Sequence, residues 1–258
     1  MTPSRLQARI LSNREKKKGV FLMELKAPGI ARSARPGQFI MVRPPHGSDP
    51  LLPRPFSIHD ARDGSVSILY RVVGRGTELL SGLGKGQALA VTGPLGRGFP
   101  IRAGNYRPAL VAGGMGLAPM PFLAKKLAAL GRVPKILYGC RTKGELLGPS
   151  TLGAVIATDD GSCGRRGLVT SLLEEELCRA GSCRVFACGP WAMLRQVSLL
   201  CQKSQVPCQV SLEARMACGL GACQGCAVRG VHGGYLSVCS DGPVFDSRLI
   251  DWEQEPPL

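Results

Sequence analysis

No stretch of this 258-residue sequence is long and apolar enough to cross a bilayer. Its longest uncharged run, residues 108–124, is broken by glycine and proline and falls short of the roughly 20 residues a spanning helix needs. The N-terminus carries basic residues but no apolar signal-peptide core, so the expectation is a cytoplasmic protein with no membrane contact. Internal repeats and low-complexity tracts are missing as well. Acidic residues are outnumbered, 18 against 33 Lys and Arg, giving a formal net charge of +15. The basic residues are scattered and no nucleic-acid reader motif accompanies them, so nucleic acid is not the expected partner. The one dense run, residues 14–18, reads as a hairpin turn. Anionic cofactors, pyrophosphates or a thiolate-held cluster, would offset part of the excess.

What the chain has is glycine, proline and cysteine: 34, 20 and 11 residues. Glycine and proline fall between clear apolar runs and mark tight turns. An odd, large cysteine count without an export signal favours metal or redox use over a disulfide framework. The fold class expected is α+β multidomain, in three parts. Residues 1–102 alternate as strands (6–11, 20–25, 38–42, 55–59, 66–73, 88–92) at the spacing of a small antiparallel β-barrel, interrupted by one short helix at 78–83. Residues 103–212 alternate strand and helix: strands 109–112, 136–139, 154–157, 185–188 and 209–212, helices 120–130, 169–179 and 190–204. This predicts an α/β parallel sheet with helices on both faces, closed by its last strand. Residues 213–258 contain a Gly- and Cys-rich segment without periodicity, too small to bury its own core.

Within that segment Cys218, Cys223, Cys226 and Cys239 follow the spacing C-x4-C-x2-C-x12-C. The first three reproduce the plant-type [2Fe–2S] spacing, and Gly219, Gly221 and Gly225 let the backbone curl around inorganic sulfide. Structural zinc would prefer a second C-x2-C knuckle. A Rieske centre needs two histidines, and the loop offers only His232.

Two groups of motifs have nucleotide character. In the first half, Arg54-Pro55-Phe56-Ser57 is followed by Leu69-Tyr70-Arg71-Val72-Val73 and then Gly74-Arg75-Gly76-Thr77. A Gly-rich turn entering a helix, with two arginines, can grip a pyrophosphate. In the second half, Gly113-Gly114-Met115-Gly116-Leu117-Ala118-Pro119 follows a strand and opens a helix, where glycines permit close approach to a phosphate. Cys188-Gly189-Pro190 and Asp159-Asp160 sit at strand ends on the same edge, where open α/β sheets bind ligands. The two aspartates read equally as a turn or as ribose ligands. Cys188 reads equally as packing against a nicotinamide ring or as a small buried thiol.

The ordered set from about residue 5 to about residue 245 resembles the ferredoxin–NADP reductase superfamily. The C-terminal cysteine spacing resembles one branch of it, the electron-transfer subunits of dihydroorotate dehydrogenase B. That resemblance implies FAD on the barrel, contacted by Arg54 to Ser57, Leu69 to Arg71, Gly76 and Thr77, with Ser57 near the flavin N5. It implies NAD at Gly113, Gly114, Gly116, Cys188, Gly189 and Pro190, and a [2Fe–2S] cluster on the four cysteines. The implied partner is an FMN-containing dihydroorotate dehydrogenase catalytic subunit in a two-plus-two heterotetramer. Related subunits serve hydrogenases, sulfite reductases and transhydrogenases, and a zinc-stabilised binding protein on the same scaffold is a further alternative. No acid or base is expected: nicotinamide exchanges hydride, a cluster carries single electrons, and a flavin must join them. The absence of an arginine cluster for a 2′-phosphate favours NAD over NADP.

Overall fold

The computed structural model describes residues 4–44, 49–101, 104–147, 153–179 and 181–254. The expected boundary between the first two parts, residues 102 and 103, lies outside the described residues. Strands β1 (Ser4–Lys17), β2 (Val20–Lys26), β3 (Phe39–Arg43), β4 (Arg54–Arg62), β5 (Ser65–Arg71) and β6 (Ala88–Leu95) close into an antiparallel barrel in the order β1-β2-β5-β4-β3-β6. Alternate residues fill it: Ile10, Met23, Leu25, Ile40, Val42, Ile58, Ile68 and Val91 form one buried cluster. β3 is buried on both faces. Ile40 and Val42 point into the barrel, while Phe39 and Met41 point out and join the core of the C-terminal half.

Two expectations need correction here. The charged run 14–18 is not a turn: β1 continues through it, with Arg14 opposite Leu22 and Lys17 opposite Val20, and only Lys18 and Gly19 turn. Charge misled because this hairpin arm is largely exposed, so its strand needs no apolar face. The barrel also has two helices, not one. α1 (Pro28–Ser33) buries only Ile30 and so leaves no periodic signal, and α2 (Arg75–Ser81) starts earlier than expected.

The second half is a seven-stranded sheet. It comprises β7 (Arg107–Gly113), β8 (Lys135–Cys140), β9 (Val155–Thr158), β10 (Arg165–Arg166), β11 (Cys183–Cys188), β12 (Cys208–Ser211) and, beyond the short hairpin β13 (Ala227–Arg229)–β14 (Tyr235–Ser237), β15 (Val244–Asp246). Their order is β10-β9-β8-β7-β11-β12-β15, parallel except for β15. β12 therefore does not close the series: after the cysteine-rich segment the chain returns and adds an antiparallel edge strand to β12. The helices are α3 (Met120–Ala128), α4 (Val169–Leu177) and α5 (Trp191–Lys203). Leu110 and Ala112 face α3, while Ala109 and Val111 face α4 and α5, so helices cover both faces. α3 also bridges to the barrel, because its Phe122 is buried in the barrel cluster while Met120, Leu123 and Leu127 face the sheet.

Candidate functional site

The cysteine loop packs on the outer wall of the barrel. Gly219 has φ +70°, and a Cβ there would stand 2.7 Å from Met41 Cγ and 3.3 Å from Leu95 Cδ1. Gly221 has φ +82° and lies against Ser240. These two conformations wrap the loop so that backbone N–H groups face sulfur. Leu220 N–H donates to Cys218 Sγ (3.3 Å), Gly221 N–H to Cys239 Sγ (3.1 Å) and Cys239 N–H to Cys226 Sγ (3.4 Å). Burial opposes ionisation of Cys218, yet the N–H groups of Leu220, Cys223 and Ala222, with the Cys223 thiol, bring its thiol down to about 6. Burial and the adjacent Cys226 thiol push Cys239 up to about 12. The interactions join the sulfurs in two pairs, Cys218 with Cys223 and Cys226 with Cys239. Among the described residues no three ligand-type side chains gather around a single metal-ion position. Two thiol pairs with N–H donors aimed at sulfur suit a two-iron cluster, one pair to each iron, better than one tetrahedral zinc.

On the barrel, β4 runs antiparallel to β5, which brings Arg54 beside the end of β5 and the first turn of α2. A Cβ on Gly76 would lie 2.8 Å from Arg54 Nε, so only glycine lets that guanidinium rest on the turn. Thr77 Oγ1 accepts from Val73 N–H (2.9 Å) and Gly74 N–H (3.2 Å), closing the turn. Those two N–H groups are thus satisfied internally. Arg54 donates to Leu52 O (2.7 Å), and the charge of Arg71 acts on the Glu145 carboxylate. Leu69 and Arg71 point outward. Tyr70 points inward, buried in the barrel against Phe21 and Phe56, with its hydroxyl donating to Asn13 Oδ1 (3.2 Å). Any contact of Tyr70 with a cofactor outside the barrel is therefore through its backbone. Pro55 and Ser57 lie opposite Met41 and Phe39 on β3, on the wall that carries the cysteine loop.

The two glycine motifs of the second half meet. β7 and β11 are neighbours whose following helices cross to opposite faces, the topological switch point of this sheet. A Cβ on Gly116 would fall 2.1 Å from Cys188 O, and one on Gly113 would fall 2.6 Å from Met193 Sδ. A Cβ on Gly189 would meet Met193 Cε at 2.6 Å and Gly113 N at 3.0 Å. Of the four glycines only Gly114 is needed for its conformation, φ +52°, with open space around it. The loop enters a 3-10 turn, Gly114–Leu117, before α3 begins at Met120. Three of these glycines thus allow close contact of protein with protein. Cys188 is buried, and burial raises its thiol, so it is a neutral apolar surface at this edge. Glu213, just beyond β12, has no role assigned from the sequence. It stands near Cys188 with one side open to solvent, and the surrounding protein raises its carboxyl.

His59, another residue without a sequence signal, ties the halves together. Its Nδ1 donates to Ala118 O at 2.7 Å, and next to it Lys125 of α3 pairs with Asp60 at 3.1 Å. Burial lowers the imidazole pKa below 6.5, against the smaller opposing effects of Ala118 O and Asp60. A lowered folded pKa means that this ring stabilises the fold above pH 6.5 and that the contribution is lost as pH falls below it. Wild type should therefore lose stability relative to His59→Gln on acidification below pH 6.5. A wild-type-minus-variant difference in thermal stability that stays constant down to pH 5 contradicts a neutral buried ring.

Comparison with known proteins places this architecture. Residues 213–251 match the family model of the iron–sulfur cluster binding domain of dihydroorotate dehydrogenase B. The dihydroorotate dehydrogenase B (NAD(+)) electron transfer subunit of Desulforamulus reducens is 42% identical over 243 residues, 90% of this chain and 93% of that protein. The chain belongs to this family. The subunit of the same name from Caldanaerobacter subterraneus is also 42% identical, over 93% of this chain and 96% of its own length. Among solved structures, an NADH-dependent reduced ferredoxin-NADP oxidoreductase described for flavin-based electron bifurcation superposes with a TM-score of 0.85. It is 29% identical, over 96% of this chain and 91% of that chain. Family membership sets the zinc-stabilised binding protein aside. The higher identity to the dihydroorotate dehydrogenase subunits than to the bifurcating enzyme favours the former branch.

Proposed function

We propose that this chain is the electron-transfer subunit of a dihydroorotate dehydrogenase B, passing electrons from the FMN of a catalytic partner through a [2Fe–2S] cluster and FAD to NAD⁺ in pyrimidine (UMP) synthesis. The assembly we infer is two such chains with two catalytic subunits. The observation that carries this reading is the placement of the cysteine loop. Gly219 rests on Met41, and Met41 pairs with Pro55 of the motif that would hold the flavin. That wall therefore serves cluster and flavin at once. Bound flavin supplies the conversion between a hydride and single electrons.

The chain's own residues bind, orient and shield. Arg54 and Arg71 would neutralise the flavin pyrophosphate. Gly76 and Thr77 shape the turn against which Arg54 lies, and Ser57 would stand at the flavin N5. Cys218, Cys223, Cys226 and Cys239 would hold the cluster. The switch-point loops at Gly113–Gly116 and Cys188–Pro190 would hold the nicotinamide nucleotide, with the neutral Cys188 thiol offering a dry surface to the ring.

The test is the visible spectrum of the anaerobically purified protein before and after NADH. Flavin and cluster bands that both bleach on adding NADH are the expected result. A flavin that bleaches beside an unreactive cluster would break the proposed path, and a colourless protein would reject it.

A further inference from the structure

Outside the cluster spacing, three further cysteines meet at the edge of the sheet opposite the switch-point loops. Cys183 begins β11, Cys208 begins β12 and Cys201 lies in the last turn of α5. Val185 stands opposite Cys208 in the parallel pairing, so Cys183, two residues earlier on the same face, is its diagonal neighbour. α5 covers that face, and all three cysteines belong to one buried cluster. Cys201 and Cys208 are 1% and 3% exposed, and their thiols share a hydrogen bond. That contact and burial raise the Cys201 thiol far above its usual value, so it keeps its proton in the closed structure.

The chain between the two is a tight surface turn. Gln202, Lys203, Ser204, Gln205 and Pro207 are exposed. Val206 N–H donates to Cys201 O at 2.8 Å, which doubles the chain back. Gln205 takes φ +54°, a left-handed conformation disfavoured for a residue with a side chain. Cys201 therefore sits where the end of α5 passes into a strained turn, and local opening there leaves the sheet intact. Buried cysteines that only fill space need not touch one another. A pair in contact across a short turn is placed to be bridged.

We propose that Cys201 and Cys208 form a reversible disulfide, a redox modification site separate from the iron–sulfur ligands. The oxidant is hydrogen peroxide, the product when dioxygen takes two electrons from a reduced flavin. When the turn opens, the Cys201 sulfur attacks the peroxide. The O–O bond breaks, an S–O bond forms, and the hydroxide released takes the thiol proton as water. Reclosure brings the Cys201 sulfenic acid onto Cys208, whose sulfur displaces the second water as the S–S bond forms. Two thiols thus lose two electrons, and one peroxide becomes two waters. Cys183, fixed on β11 between β7 and β12, takes no part. The bridge fastens the end of α5 to the strand from which the cysteine loop departs.

Trypsin cuts after Arg195, Lys203 and Arg215, so the two cysteines fall in separate peptides, residues 196–203 and 204–215. The full chain with its cluster is treated with hydrogen peroxide, alkylated in denaturant and digested without reductant. Mass spectrometry should find these two peptides linked, at peroxide levels that leave the cluster bands intact, and dithiothreitol should separate them. The melting temperature should rise by about 5 °C, as for a bridge that closes a short loop. Cys208→Ser should show neither change, and Cys183→Ser should behave as wild type. Recovery of Cys201 and Cys208 as alkylated thiols after the cluster has bleached overturns the proposal. Linkage of either one to peptide 180–184, which carries Cys183, overturns it as well.

Discussion

A Cys226→Ser chain loses the visible absorption of the iron–sulfur cluster and, with it, electron exchange with the catalytic partner, while hydride still passes between NADH and its flavin. Cys226 is 3% exposed, its sulfur accepts the Cys239 N–H, and it shares a pair with Cys239. A serine oxygen is harder and sits closer to the backbone, so it serves a soft iron site poorly. The nucleotide loops lie on strands β7 and β11, away from this contact, and should be untouched. Iron content, the visible spectrum and NADH-driven flavin bleaching separate the effects. A variant that keeps its cluster bands and partner-linked turnover would remove Cys226 from the ligand set. One that loses both electron exchange and flavin reduction would show that the loop shapes the flavin wall as well.

The second large effect is at the switch point. Gly116→Ala places a Cβ 2.1 Å from Cys188 O and 2.4 Å from Cys188 C, both backbone atoms of a central strand end. Neither can give way unless the loops after β7 and β11 separate. Overpacking of this kind costs about 1–3 kcal/mol or more, and it spoils the edge that would hold the nicotinamide. Gly114→Ala is a contrasting control, because its Cβ meets nothing within 4 Å and only φ +52° is disfavoured, a cost of about 1 kcal/mol. Thermal unfolding and NADH titration should rank Gly116→Ala as clearly worse, with flavin retention equal in both. The reverse ranking would mean that backbone conformation, not packing, is what these glycines supply.

How far the sequence reads depends on where each signal originates. Barrel strands such as β2 and β5 announce themselves, since inward Met23, Leu25, Ile68 and Tyr70 alternate with outward residues. The Cys218-to-Cys239 spacing is equally local, and so is the order of the nucleotide motifs. β15 is three residues long and exists because Ser211 and its neighbours offer an open edge, a long-range cause invisible from Val244–Asp246 alone. α1 begins with Pro28 and Gly29, both helix breakers by composition, and is held by burial of Ile30. The reason for Gly116 lies in Cys188, far away in the chain. Asp159 and Asp160 look alike until Ser162 is seen to claim one of them. His59 and Glu213 had no pattern to reveal them, since their neighbours Ala118 and Cys188 come from other elements.

The chain leaves the sheet after β12, makes the whole cysteine loop, and comes back to pair with that same strand as β15. The loop is thus a closed excursion pinned at both ends, and it is seated on Met41 and Leu95 in the middle. A domain on a single tether would have to search for its electron acceptor, and the frequency of its swings would set the pace. With the cluster on this loop and the flavin on the barrel, as proposed, the gap between them is fixed by covalent return and packing. The crossing becomes a matter of distance and driving force, and the diffusing components left in the cycle are the nucleotide and the substrate of the partner.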